Sequence, residues 1–168
     1  MTANGHRRVV ITGLGMVSPL GNDVQSSWSR LLAGESGAAP ITAFDHTDYN
    51  VHFACELKDF DPTVWIDRKA SRRMDRFAQM ILAAARQAES DSGVEIAAEP
   101  ARFGASIATG IGGLQTLDLA HEHLFSKGID RMSPLWITML IPNMGAGWVS
   151  IELGTKGPLM SELSLIHI

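Results

Sequence analysis

Two short, largely apolar runs, the first of them β-branched and each leading into closely spaced glycines, constrain this chain more than any other feature. The first is Arg8-Val9-Val10-Ile11-Thr12, followed by Gly13 and Gly15. The second occupies residues 103–108 and ends in Thr109-Gly110-Ile111-Gly112-Gly113. Each reads as a buried strand entering a tight turn, with helical periodicity further on. Strands that alternate with helices in this way specify an α/β fold with a parallel sheet at its centre.

The intervening segments fill in the plan. Asn22 or Asp23 is placed to cap a helix over residues 24–33, with Trp28, Leu31 and Leu32 on one face and Gly34 as its stop. Residues 51–57 alternate weakly and suggest a short strand. The longest helix is expected over 67–92, where Met74, Phe77, Ile81, Ala84, Ala85 and Ala88 keep helical spacing and Gly93 ends the pattern. A helix is expected over about 114–125. Pro134 and Pro142 bracket an apolar segment, and a final helix over 144–153 carries Gly145 and Ala146, which permit close packing. No internal repeat or low-complexity linker interrupts the series.

Composition narrows the function classes. With 168 residues, 45% hydrophobic and 19% charged, the chain is long enough for one domain with a sizeable core. No apolar run reaches the roughly 18 residues of a membrane span. The run at 9–11 is also too short for the core of a signal peptide. A net charge of −4 argues against general nucleic-acid binding. Cys55 is the only cysteine, which excludes an intrachain disulfide and fits a reducing cytoplasm.

Several motifs imitate known chemistry. Gly13-Leu14-Gly15-Met16-Val17-Ser18 resembles a dinucleotide loop, but Ser18 stands where the third glycine belongs and Pro19 blocks early helix continuation, so a structural junction is expected. The glycines at 110, 112 and 113 lack the Lys-Ser/Thr of a P-loop and read as close backbone packing. His121 and His123 are two apart on a helix and face different directions, which suits a solvated surface better than a metal. His46, His52 and His167 lie in separate contexts, and no metal site is expected. Cys55 sits in an apolar strand, away from a helix N-terminus or cationic neighbour, and reads as a packing residue. The sharpest feature is Arg68, Lys69, Arg72, Arg73 and Arg76. In the first turns of a long helix these charges would oppose the dipole, at roughly 0.3–1 kcal/mol each. Asp67 and Asp75 offset only part of that. A costly basic patch on an acidic protein suggests an anionic partner.

In order and spacing, these segments resemble the β-ketoacyl-ACP synthases, the condensing enzymes of fatty-acid synthesis. The residues that carry the likeness are Arg8-Val9-Val10-Ile11-Thr12-Gly13-Leu14-Gly15-Met16-Val17-Ser18-Pro19-Leu20-Gly21, Leu32-Ala33-Gly34-Glu35-Ser36-Gly37 and Arg73-Met74-Asp75-Arg76-Phe77. Thr109-Gly110-Ile111-Gly112-Gly113, Ser133-Pro134, Asn143-Met144 and Gly154-Thr155-Lys156-Gly157-Pro158 continue it. The resemblance spans about residues 7–158. It implies a partial thiolase-like fold, most of the N-terminal half, in a family that pairs into homodimers. It also implies elongation of acyl-ACP with malonyl-ACP by decarboxylative Claisen condensation, through a Cys nucleophile and two histidines and with no external cofactor or metal.

Residue by residue, the resemblance gives Lys69, Arg72 and Arg73, with Arg131 in addition, a role in docking the acidic acyl carrier protein. Ile111 and Trp136 correspond to positions that line or gate the acyl pocket near the dimer interface, Trp136 replacing the usual Phe. No catalytic residue carries over. The family's spacing puts its nucleophile near Ile166, and its histidines would fall beyond Ile168. Residues 159–168 are accordingly expected to be an atypical tail, foreign or frameshifted, after a domain ending near Pro158. The implied function is that of a condensing-enzyme fragment without turnover of its own. The alternative is a non-catalytic partner like the chain-length factors of polyketide synthesis.

Overall fold

The computed structural model describes residues 8–163. Ile166, His167 and the first seven residues lie outside the described part. Helix α1 is Val24–Leu32; Asp23 caps it by accepting the Ser26 amide at 2.7 Å. A short antiparallel pair, β1 (Ala39–Pro40) and β2 (Phe53–Ala54), follows. Helices α2 (Arg68–Ser71) and α3 (Arg76–Ser92) come next, then β3 (Ala105–Thr109) and α4 (Leu114–Lys127). Helices α5 (Trp136–Leu140) and α6 (Met144–Leu153) lead into β4 (Leu159–Leu163).

Helix α6 lies at the centre, packed on α3 and on the sheet of β3 and β4. Leu82 is 0% exposed and sits with Ile66, Met74, Ala78 and Val149. Gly145 and Ala146 are buried, and a Cβ on Gly145 would stand 2.9 Å from Ile81 Cδ1 and 3.3 Å from Ile107 Cγ2. The expected close packing of α6 is therefore present. The most buried positions of α3 are Ala78, Leu82 and Ala83 rather than Ala84 and Ala88. The opposite side of α3 receives residues 13–16 instead. Leu14 N donates to Asp91 (2.9 Å) and Met16 N to Gln87 (3.2 Å). A Cβ on Gly15 would lie 1.9 Å from the Ala84 carbonyl oxygen, so the backbone approaches the helix as only glycine allows. The glycines thus serve a structural junction, as expected from the sequence, but without the strand expected to enter it.

Three expectations are corrected. Residues 8–12 are neither in a strand nor buried, and Val9 is 90% exposed. Their β-branched character favours a pleated, half-buried surface, and no described strand pairs with them. The strand expected over 51–57 shrinks to two residues. Trp28, Leu31 and Leu32, the face named on α1, lie exposed. The single helix expected over 67–92 is two helices broken at residues 72–75.

Past Pro158 the chain forms β4, parallel to β3 in the register Ala105↔Leu159 through Thr109↔Leu163. All five residues of β4 are exposed. Among the described residues no helix is long and apolar enough to cross a membrane.

Candidate functional site

The break between α2 and α3 shapes the basic corner. Asp67 caps α2 by accepting the amides of Lys69 (2.8 Å) and Ala70 (3.1 Å). The chain then leaves helical geometry so that Asp75, in extended backbone, can cap α3 through the Phe77 amide at 3.1 Å. Gln79 Nε2 donates across the break to the Ser71 and Met74 carbonyls (2.9 and 3.3 Å), the first of which also accepts the Met74 amide at 3.2 Å. Ile66, Ser71 and Met74 are buried and anchor the corner from beneath.

The cations therefore face outward. Arg68, Lys69, Arg72, Arg73 and Arg76 are all exposed, and none makes an ion pair among the described residues. Arg76 lies over the Phe60 ring, 5.4 Å from its centroid, a cation–π contact. The two acidic neighbours turn their carboxylates to backbone amides. The dipole argument from the sequence is corrected at the same point. Arg72 is the C-cap of α2, where positive charge is favourable, whereas Arg68 and Lys69 are the first two residues of that one-turn helix. Only Arg76 stands at the start of α3.

Asp75 does more than the sequence indicated. Its Oδ2 accepts both the Thr116 amide (2.9 Å) and the Thr116 hydroxyl (2.6 Å), so one buried carboxylate ties the starts of α3 and α4 together. Thr116 lies on the first turn of α4, after the glycine turn at 110–113. There Gly113 N donates to the Leu140 carbonyl at 2.9 Å. Gly112 has φ +86°, and a Cβ there would meet the Leu140 oxygen at 2.7 Å. The glycines serve close packing, as expected.

Two cavities adjoin this bridge. A cleft of about 710 Å³ opens beside Cys55, Glu56, Asp75, Arg76 and Gln79. A smaller, mostly apolar cavity of about 150 Å³ is lined by Ala120, His123, Met132, Trp136 and others. Thr116, Leu119 and Met139 line both. Trp136 thus faces a cavity, whereas Ile111 is 55% exposed at its turn and lines neither. Arg131 is exposed in the 3-10 turn Ile129–Arg131, which packs on α4, while Lys69 belongs to α2, which packs on the 3-10 turn Pro62–Val64.

Three further readings change. Cys55 is exposed on the cleft and is not a packing residue. His121 is solvated, edge-on to Phe125, but His123 is half-buried and lines the smaller cavity. His46 and His52 do not lie in separate contexts: their Nδ1 atoms are 3.0 Å apart. Beside the cleft, hydrogen bonds from the Thr42 hydroxyl and amide hold the Glu56 carboxyl below the usual carboxylate range, with smaller help from the Ala43 amide and the charge of His46. Among the described residues no group of three or more His, Cys, Asp or Glu is placed to hold a metal.

The family profile "Beta-ketoacyl synthase, N-terminal domain" matches residues 6–162. The chain belongs to the β-ketoacyl synthase family. It is 49% identical over 154 residues to 3-oxoacyl-[acyl-carrier-protein] synthase 2 of Staphylococcus aureus strain COL, covering 91% of this chain and 37% of that protein. It is 48% identical over 153 residues to the enzyme of the same name from Vibrio harveyi, covering 90% and 37%. The chain thus spans little more than a third of the length of these curated relatives. The solved ishigamide ketosynthase/chain length factor superposes with a TM-score of 0.85 at 30% identity, over 95% of this chain and 40% of that one. A type II polyketide ketosynthase solved in complex with its acyl-carrier protein gives a TM-score of 0.75 at 25% identity, over 92% and 41%. The fold is a partial, thiolase-like α/β fold. The family match and strand β4 both run beyond Pro158.

Proposed function

We propose that this chain is the N-terminal part of a type II β-ketoacyl-ACP synthase that elongates acyl-ACP with malonyl-ACP by decarboxylative Claisen condensation. The observation that carries this reading is the 49% identity to 3-oxoacyl-[acyl-carrier-protein] synthase 2 across 91% of the chain. Within it, the corner of Lys69, Arg72 and Arg73 docks the acidic carrier protein, and Arg131 adds to the surface. Their exposure and lack of ion pairs support this, since unpaired cations are free to steer and meet an anionic partner. Trp136 lines the acyl pocket and Ile111 gates it near a homodimer interface. The cavity beside Trp136 supports the first of these roles.

The segment supplies scaffold and docking surface, and by itself has no turnover. Cys55 follows a two-residue strand and stands at no helix N-terminus, so it lacks the dipole that activates a thiol nucleophile. A cytoplasmic setting belongs to the same proposal, supported by the single cysteine. A second reading, a non-catalytic partner of a ketosynthase, draws on the superposition with the ketosynthase/chain length factor. Identity of 30% there against 49% to the synthases favours the enzyme.

The test is a titration of this chain with acyl carrier protein at low and high salt, repeated with the triple variant K69E/R72E/R73E. Binding that weakens with salt and disappears in the variant is expected. Carrier binding that ignores both would overturn the docking assignment. Condensation of acyl-ACP with malonyl-ACP by the isolated chain would overturn the assignment of no turnover.

A further inference from the structure

His46 and His52 lie six residues apart on a loop that folds back on itself. Their Nδ1 atoms approach to 3.0 Å, with the ring planes at 60°. The backbone fixes this approach. Tyr49 N donates to the His46 carbonyl at 3.1 Å, and Ile41 N donates to the His52 carbonyl at 3.1 Å. Asp45 Oδ1 accepts both the amide (3.0 Å) and the hydroxyl (2.6 Å) of Thr47, closing an Asx turn beside His46. Phe44 and Tyr49 stack edge to face across the same loop at 5.5 Å. The pair is therefore held in place before any ligand arrives.

Two neutral imidazoles at this distance share one proton, one ring donating and the other accepting. A divalent metal can take that proton's place. Metal–nitrogen bonds of about 2.0–2.1 Å put two ligating nitrogens about 2.9 Å apart at a right angle and about 3.4 Å apart in a tetrahedron. The observed 3.0 Å falls between these values. The surroundings favour a cation as well. Residues 41–57 contain Asp45, Asp48 and Glu56 but no Lys or Arg.

We propose that His46 and His52 form a surface site for a borderline divalent cation of the zinc, copper and nickel class, with water completing its coordination. Imidazole nitrogen suits these metals and not magnesium or calcium, which take oxygen ligands. A bound ion would pin the loop that leads into the Glu56 wall of the larger cleft. It would be a structural clip rather than a participant in condensation, and it stands independently of the function proposed above.

The experiment is calorimetric titration of Zn²⁺ alone into the full 168-residue chain and into H46Q and H52Q. A saturable site is expected, weakened by at least about tenfold in either variant, as loss of one of two protein ligands demands. Both variants should melt close to the unsubstituted chain without zinc, because glutamine keeps a polar group on an open loop. Absence of saturable binding, or the same zinc site persisting in both variants, would overturn the proposal. Electron paramagnetic resonance of Cu²⁺ bound to the unsubstituted chain gives a second check. Coupling to two nitrogens is expected, and coupling to none would refute the site whatever the variants do.

Discussion

Asp75 and Thr116, forty-one residues apart in sequence, are joined twice: the Asp75 carboxylate accepts the threonine amide at 2.9 Å and its hydroxyl at 2.6 Å. The same carboxylate caps α3, so two helix starts depend on one side chain. Asp75→Ala should destabilise the chain by about 2–4 kcal/mol, combining a lost cap with stranded buried donors. Thr116→Val keeps the amide bond and loses only the hydroxyl, and should cost about 1–2 kcal/mol. Urea melts of both variants check the ranking; equal losses would contradict it.

Gly15 faces a different constraint. A methyl group there would collide with the Ala84 carbonyl, which is helix backbone and cannot swing aside. Gly15→Ala should cost about 1–3 kcal/mol by overpacking. Gly34, at φ +70° with open space around it, should cost about 1–2 kcal/mol as alanine, through backbone strain alone. Proteolysis separates the two mechanisms. Only Gly15→Ala should increase cleavage in residues 8–20, by lifting that segment off α3.

Acid should weaken the fold in a defined window. The Asp23 carboxyl is held below its ordinary 3.8 by the Ser26 amide and hydroxyl. Glu56 is held below 4.5, chiefly by the Thr42 hydroxyl. Asp45 and Asp61 are lowered by their neighbours Thr47 and Thr63. A carboxylate whose folded pKa is depressed gives stability that is fully present above its unfolded value and lost as pH falls through the folded one. Stability should therefore be level from neutral pH to about 5 and decline below about 4.5. Asp23→Ala should cost about 0.5–2 kcal/mol at pH 7 and much less at pH 2, because a protonated Asp23 is already a weak cap. Denaturant melts at the two values test this; an equal cost at both would contradict the assignment.

The exposed apolar surface carries its own expectation. Val9, Ile11, Trp28, Leu32, Leu159 and Met160 all face solvent. Exposed apolar area on this scale favours association. Sedimentation velocity at micromolar concentrations should show concentration-dependent self-association, with binding of a hydrophobic dye. A monodisperse monomer that melts cooperatively would contradict this.

What the sequence revealed, and what it hid, follows from the range of the forces involved. Helix α6 was legible because the small residues Gly145 and Ala146 mark a close-packed helix and act locally. Asp23 announced α1 for the same reason. The break at residues 72–75 was not legible, because Asp75 leaves the helical pattern to serve Thr116, a partner no local window contains. Val9, Val10 and Ile11 announced a strand, but a strand exists only beside another. Trp28 and Leu31 marked a face that wants covering, without saying whether anything covers it. At the candidate site the sequence pointed to Lys69, Arg72 and Arg73, and these residues are exposed and unpaired in the described structure. It missed the His46–His52 contact, which depends on the turn between them.

The pairing of β3 with β4 has a consequence for how the chain is made. Ala105 meets Leu159, a partner added more than fifty residues later. At synthesis rates of about 5–20 residues per second, β3 waits roughly 3–10 s after it is made for its only described ladder neighbour. Throughout that interval its amides and carbonyls form an open edge. Helices α4, α5 and α6 are made during the wait. Helix α6 ends at Leu153, before β4 begins at Leu159, so its packing against α3 and β3 is available to shield the open edge before the ladder closes.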